Sequence, residues 1–171
     1  MELRDDDLVL RPWTEDDVPA LAAACNDPEI PRWIPVIPSP YTEQDALAFI
    51  RGEVRPDLDH SFAVTSGRAV VGSIGMSVNL NRTGHIGYWV AAHARGQGVC
   101  TRALRMLAVW ALDDLRLERL ELITDPDNVA SQRVAEKVGF RREGILRSHL
   151  LHRDGRRRDS VMYSLLPGEL S

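Results

Sequence analysis

The spacing of apolar residues divides the chain into three stretches. The first is helical, with irregular connections. Val9 to Arg11 reads as a short strand. Thr14 then caps a helix expected from about Glu15 to Cys25, on which Val18, Leu21, Ala24 and Cys25 share one face. Asp16 and Asp17 fall in its first turn, where the helix dipole favours anions. Between Asp27 and Pro40, prolines stand at 28, 31, 35, 38 and 40, a density that excludes regular helix. Trp33, Ile34, Val36 and Ile37 lie among them, so this loop either covers a site or is pinned to the core by Trp33. A second helix is expected from Thr42, ending before Pro56.

From Ser61 the period becomes two. Ser61 to Thr65 is expected as a strand, Ser66-Gly67 as a turn, and Arg68 to Leu80 as a second strand with Ile74, Met76 and Val78 on one face. After a turn at Asn81 to Gly84, His85 to Ala92 completes an antiparallel meander. The third stretch alternates. Gly98 to Asp113 carries a helical stripe of Leu104, Leu107, Ala108 and Ala111. Leu117 to Thr124 is a strand reached by a crossover, hence parallel to its predecessor. Asn128 to Val138 is a helix ended by Gly139. Arg141 to His152 and Asp159 to Leu166 form a hairpin around Arg153-Asp154-Gly155-Arg156. The order βααβββαβαββ predicts an α/β fold with a mixed central sheet: an antiparallel meander, a βαβ crossover and a C-terminal hairpin, flanked by helices.

Composition narrows the class. The chain has 171 residues without repeats or linkers, so one domain over residues 1–171 is expected. Cys25 and Cys100 match neither a metal spacing nor a disulfide framework, so reduced thiols in a cytoplasmic protein without a metal are expected. Met1 to Asp7 is too polar for a secretory signal. No apolar run approaches the ~20 residues that span a bilayer, so no membrane partner is expected. The net charge of −4 argues against direct binding of nucleic acid. A monomer or a homodimer is expected.

One segment points to chemistry. The strand Ile86-Gly87-Tyr88-Trp89-Val90 runs into Arg95-Gly96-Gln97-Gly98-Val99-Cys100-Thr101 and then a helix. Unpaired N–H groups at a helix start, glycines that admit close approach and a nearby arginine suit a phosphate or pyrophosphate. The same glycines would also serve an ordinary strand–helix turn, and both readings stand. A P-loop is a weaker match because the Lys-Ser/Thr pair is missing, and so is the dinucleotide fingerprint because its spacing is missing.

The segment Arg95 to Thr101 resembles the acyl-CoA signature of the GNAT acyltransferase superfamily, Arg/Gln-x-x-Gly-x-Gly/Ala, with Cys100 at the last small position. Asn128-Val129-Ala130-Ser131, leading to Glu136-Lys137-Val138-Gly139-Phe140, resembles that family's second helix motif. Leu10-Arg11-Pro12-Trp13 and Asp159 to Leu166 resemble the opening and the closing strands of its ribosomal-protein-alanine N-acetyltransferase (Rim-type) branch. The resemblance spans nearly the whole chain and implies a GNAT-like acyl-CoA N-acyltransferase fold, with acetyl-CoA or coenzyme A as co-substrate and no metal.

It also implies roles. The backbone of Arg95, Gly96, Gln97, Gly98, Val99, Cys100 and Thr101 would hold the pyrophosphate. Val90 and Ala92, on the edge of a bulged strand that splays from its neighbour, would pair with the pantetheine arm, and Asn128 and Ser131 would contact the arm and the sulfur. Direct attack of an amine on the thioester then requires a base, an oxyanion donor and a group for the leaving thiolate. The Val90 backbone N–H is the expected oxyanion donor. Ala135 stands where many relatives carry a tyrosine acid, which leaves Ser131. The base is His85, His93 or a water chain. Asp27, Glu29 and Trp33 are the expected contacts to an amine acceptor, either a peptide N-terminus or a small molecule. Arg156, Arg157 and Arg158 form a basic turn. A non-catalytic acyl-CoA-binding module and another donor such as succinyl-CoA remain alternatives.

Overall fold

A computed structural model describes residues 1–171. One eight-stranded sheet organises the molecule, in the order β1-β2-β3-β4-β5-β6-β8-β7. Its strands are β1 (Leu3–Asp5), β2 (Leu8–Arg11), β3 (His60–Ser66), β4 (Ala69–Val78), β5 (Thr83–Val90), β6 (Arg119–Thr124), β7 (Arg141–Leu151) and β8 (Arg157–Leu165). The pairing is antiparallel except between β5 and β6, where the chain crosses over through a helix. The meander, the crossover and the final hairpin follow the pattern expected from the apolar periods.

The helices are α1 (Val18–Cys25), α2 (Glu29–Trp33), α3 (Glu43–Ile50), α4 (Val99–Asp113) and α5 (Val129–Val138). The stripe on α4, with Leu104, Leu107, Ala108 and Ala111 fully buried, packs on the sheet with Leu8, Leu10, Ile74, Leu120 and Tyr163 as the main core. On the opposite face, Leu21 and Cys25 of α1 and Ala46 of α3 enclose a smaller cluster, joined by Trp89 of β5. Because helices cover both faces, β4 is buried almost continuously instead of alternating. No helix is long and apolar enough to cross a membrane.

Several boundaries differ from expectation. The first helix begins as a 3₁₀ turn over Glu15–Asp17 before α1. Thr14 donates its N–H to the Asp17 carboxylate at 2.9 Å, and Arg11 clamps the same carboxylate through two bonds of 2.7 Å. The proline-rich loop contains the one-turn α2, with Pro28 as its N-cap. Pro31 is tolerated because it lies in the first turn, where backbone N–H groups have no partner inside the helix. The helix after Thr42 ends before Pro56 as expected, at Ile50, ahead of Gly52 at φ +72°. β1 was not expected, and it folds back through Asp6 at φ +48° and is held by Arg102 of α4, which reaches Asp5 and Asp7.

Candidate active site

The central feature is a wedge between the two parallel strands. β5 and β6 pair from Thr83 with Arg119 to Ile86 with Leu122 and no further. Beyond that point β5 continues along β4, with Tyr88 opposite Ile74 and Val90 opposite Gly72. β6 instead continues along β8 to Thr124 opposite Val161. The Ala91 N–H donates to the Val71 carbonyl at 2.9 Å. Antiparallel alternation therefore turns the N–H groups of Val90 and Tyr88 away from β4 and into the wedge. The β4–β5 register is unbroken, so β5 carries no bulge and divergence alone opens the gap. Ala92 differs from expectation: the strand ends at Val90, and Ala92 begins a 3₁₀ turn over Ala92–Ala94.

Past that turn the backbone forms an anion nest. Gly96 and Gly98 adopt φ +74° and +77°, and nothing lies within 4 Å of where a Cβ would project from either. The N–H groups from Gly96 to Thr101 have no acceptor within the protein; intrahelical bonding resumes with Arg102 donating to the Gly98 carbonyl. Such a run beside the positive end of a helix fits a phosphate ester. Nearby side chains add little. Arg95 is ion-paired with Asp27 and donates to the Val90 carbonyl at 3.2 Å, and Gln97 donates to the His93 carbonyl at 2.9 Å. Burial pushes the Cys100 thiol well above its ordinary range, which suits a packing residue and not a nucleophile.

The start of α5 faces the wedge from the core side. Asn128 is its N-cap, and its side chain accepts from the Ser131 N–H at 3.1 Å. Ser131 Oγ lies 2.9 Å from the hydroxyl of Tyr88 and the Ser131 carbonyl 3.3 Å from it, so the single Tyr88 proton goes to one or the other. Burial raises the Tyr88 hydroxyl, with a smaller contribution from Cys100, against the opposing Ser131 bond. Tyr88 therefore keeps its proton, and when that proton is given to Ser131 Oγ and not to the carbonyl, the serine proton is free for a third group. Ala135 is fully buried in the core. The sequence reading missed Tyr88. Its signal was the two-residue period of β5, which sets Tyr88 and Val90 on the face of α4 and α5 and Trp89 on the other.

The expected bases do not gather here. His85 lies where β5 and β6 are still paired, and its Nδ1 is 2.9 Å from Glu121. His93 is exposed in the 3₁₀ turn. Two other histidines reach the end of β6. A register shift in β7 between Leu146 and Leu150 brings His149 Nδ1 to 3.1 Å from Ser160 Oγ, beside the Val161–Thr124 pair. His152 Nε2 lies 3.9 Å from Asp125, and Arg158 lies 3.3 Å from the same carboxylate. The expected acceptor contacts are already partnered. Asp27 pairs with Arg95, and Glu29 pairs with Arg32 at 3.1 Å, while Arg32 stacks 4.5 Å from the Trp33 ring. No group of three or more His, Cys, Asp or Glu side chains is arranged to hold a metal ion.

Comparison with known proteins agrees with this geometry. Residues 7–141 match the acetyltransferase (GNAT) domain model. YdaF of Bacillus subtilis, whose name assigns it provisionally to ribosomal N-acetylation, is 39% identical over 90 residues, which are 53% of this chain and 49% of that protein. The ribosomal-protein-serine acetyltransferase of Escherichia coli is 37% identical over 68 residues, 40% of this chain and 38% of its own length. The chain thus spans about half the length of these curated relatives, or less. A solved structure of Mycobacterium smegmatis RimJ in complex with CoA-disulfide superposes with a TM-score of 0.83 at 26% identity, over 99% of this chain and 87% of that one.

Proposed function

This chain belongs to the GNAT acetyltransferase domain family, and from that premise we propose that it moves an acetyl group from acetyl-CoA to a primary amine in a ternary complex. The observation that carries the reading is the anion nest from Gly96 to Thr101 standing directly beyond the open edge of β5. Together they suit a long, partly anionic thioester whose phosphates sit at one end and whose amide arm needs strand-like pairing.

Within this reading, the amine nitrogen attacks the thioester carbonyl and the carbon–sulfur bond breaks. The carbonyl oxygen gains negative charge, and the Val90 N–H in the wedge is the donor for it. The Ser131 hydroxyl, oriented by Tyr88, donates a hydrogen bond to the departing thiolate, which takes its proton from solvent. The amine gives up its own proton on the other face of the sheet, to water or to a histidine: His149 near the end of β6, His85 next to the last β5–β6 pair, or His93 in the turn past β5. Names among the relatives favour a protein α-amine of the Rim type as acceptor, with a small-molecule amine as the alternative. The expected cytoplasmic location and the absence of nucleic-acid partners belong to this proposal, as does a monomeric or homodimeric state.

The test is mass spectrometry of products after incubation with acetyl-, propionyl- and succinyl-CoA and a mixed library of amines and peptides. Acetylated amines, formed over many turnovers, are the expected result. Tight CoA binding with no acylated product would instead support a non-catalytic acyl-CoA module.

A further inference from the structure

A cavity of about 270 Å³ lies between the α2 segment and the tip of the β7–β8 hairpin. Pro28, Pro31 and Arg32 form one wall, and His152, Arg153 and Arg158 the other. No apolar side chain other than proline lines it, so it is unsuited to an acceptor's aliphatic or aromatic group. Its position is set from both sides of the wedge. Arg158 is tied to Asp125, the residue after the end of β6. Pro28 follows Asp27, which is tied to Arg95 beyond the end of β5. The cavity therefore adjoins the wedge mouth.

Its charge is the informative part. The lining holds three arginines and one carboxylate, Asp154, while Glu29 and Asp125 outside it pair with Arg32 and Arg158. Arg153 is exposed and has no ion pair. Arg32 holds Glu29 through a single surface contact in which both side chains are about half exposed, the kind of pair that contributes little. Arg158 makes one 3.3 Å contact to Asp125, so most of its fork of donors is free. Asp154, also in the lining, accepts from the Arg156 N–H at 3.0 Å and keeps its negative charge near Arg158 and His152. His152 adds a largely buried imidazole.

We propose that this cavity is a carboxylate subsite, and that the acceptor is a peptide N-terminus followed closely by an acidic side chain. The proposal rests on the amine-acetyltransferase reading and specifies its substrate. The volume lies below the roughly 300–1,000 Å³ of sites that enclose a whole small ligand. It suits one side chain of a larger acceptor whose amine lies in the wedge. Arginine forks grip carboxylates through paired hydrogen bonds, which fixes the register of the peptide as well as attracting it.

The experiment compares kcat/KM for acetyl transfer to two peptides with amidated C-termini, Ala-Glu-Glu and Ala-Gln-Gln, and to free glutamate. The acidic peptide should exceed its amide counterpart by about five- to tenfold, chiefly through KM, as one half-exposed charge-assisted contact would allow. The preference should shrink at high salt. Arg153→Glu should abolish or invert it without changing CoA affinity or melting temperature, and Arg32→Gln should reduce it. Equal rates for both peptides would overturn the subsite while leaving the acetyltransferase reading intact. Free glutamate reacting as well as the acidic peptide would overturn the peptide acceptor. No transfer to any amine would overturn both readings.

Discussion

Replacing Ser131 by alanine separates a catalytic group from a helix residue. The substitution spares the helix cap, because Asn128 accepts from the Ser131 N–H and not from its side chain. What is lost is the 2.9 Å contact to the Tyr88 hydroxyl. That hydroxyl keeps only the longer bond to the Ser131 carbonyl, so the stability cost should be about 1 kcal/mol. For a domain of this size, that is a fall of roughly 2–4 °C in melting temperature. The kinetic cost is a separate quantity. General acid assistance is typically worth 10²–10⁴-fold, and a thiolate is a fair leaving group, so a loss in kcat of about 10- to 100-fold is expected, or about 1.4–2.7 kcal/mol. CoA affinity should hold. Tyr88→Phe should give a similar fall in melting temperature but a smaller loss in kcat. In the double variant the kcat loss should equal that of Ser131→Ala alone, since Tyr88 acts through the serine. Steady-state kinetics and thermal unfolding on the same preparations decide the matter. A melting temperature lowered as calculated with kcat untouched would refute the catalytic role and leave Ser131 as a packing residue.

Three further outcomes follow from the geometry. Gly98→Asp puts a carboxylate in the anion nest and should abolish CoA binding by calorimetry. Gly98→Ala carries the same positive-φ strain, about 1–2 kcal/mol, without the charge, and should retain most of the affinity; equal loss in both variants would remove the electrostatic explanation. Asp17→Ala strands Arg11, whose side chain is 24% exposed, and should cost about 2–3 kcal/mol in denaturant unfolding; a cost below 1 kcal/mol would contradict the clamp. Arg11 holds the Asp17 carboxyl below its usual range, and Arg119 with Ser164 lowers Glu143 from 4.5 to about 2. Depressed carboxylates stabilise the fold above their ordinary values and lose that contribution as pH falls through the folded value. Stability should therefore decline below pH 4.5 toward 2, and less steeply in Glu143→Gln.

The crossover, the hairpin and the nest were legible because each rests on a local signal. Apolar periods of two and then of helical spacing produced β3 to β5 and α4, and the glycines at 96 and 98 marked a turn that only positive φ can make. Other features depend on distant partners. β1 has three residues, too few for alternation to show, and exists because Arg102 from α4 holds its turn. α2 was obscured by its prolines, whose effect depends on position within the first turn and not on their number. Tyr88 read as one more strand residue, since nothing local says that Ser131 will stand 2.9 Å away. His149 was invisible for the same reason: a register shift in β7 brings it to Ser160, and Ser148 at φ +52° gives no sequence mark as a glycine would. The pairing of Asp27 with Arg95 was illegible for the same reason, since only the fold brings the two together.

The account turns on acetyl-CoA lying along the open edge of β5 with its phosphates in the nest. Amide hydrogen exchange read residue by residue, with and without saturating acetyl-CoA, addresses this directly. The N–H groups from Gly96 to Thr101, which have no acceptor in the free protein, should exchange more slowly in the complex, and so should those of Tyr88 and Val90. Protection confined to other segments, with these amides unchanged while acetyl-CoA is bound, would contradict it.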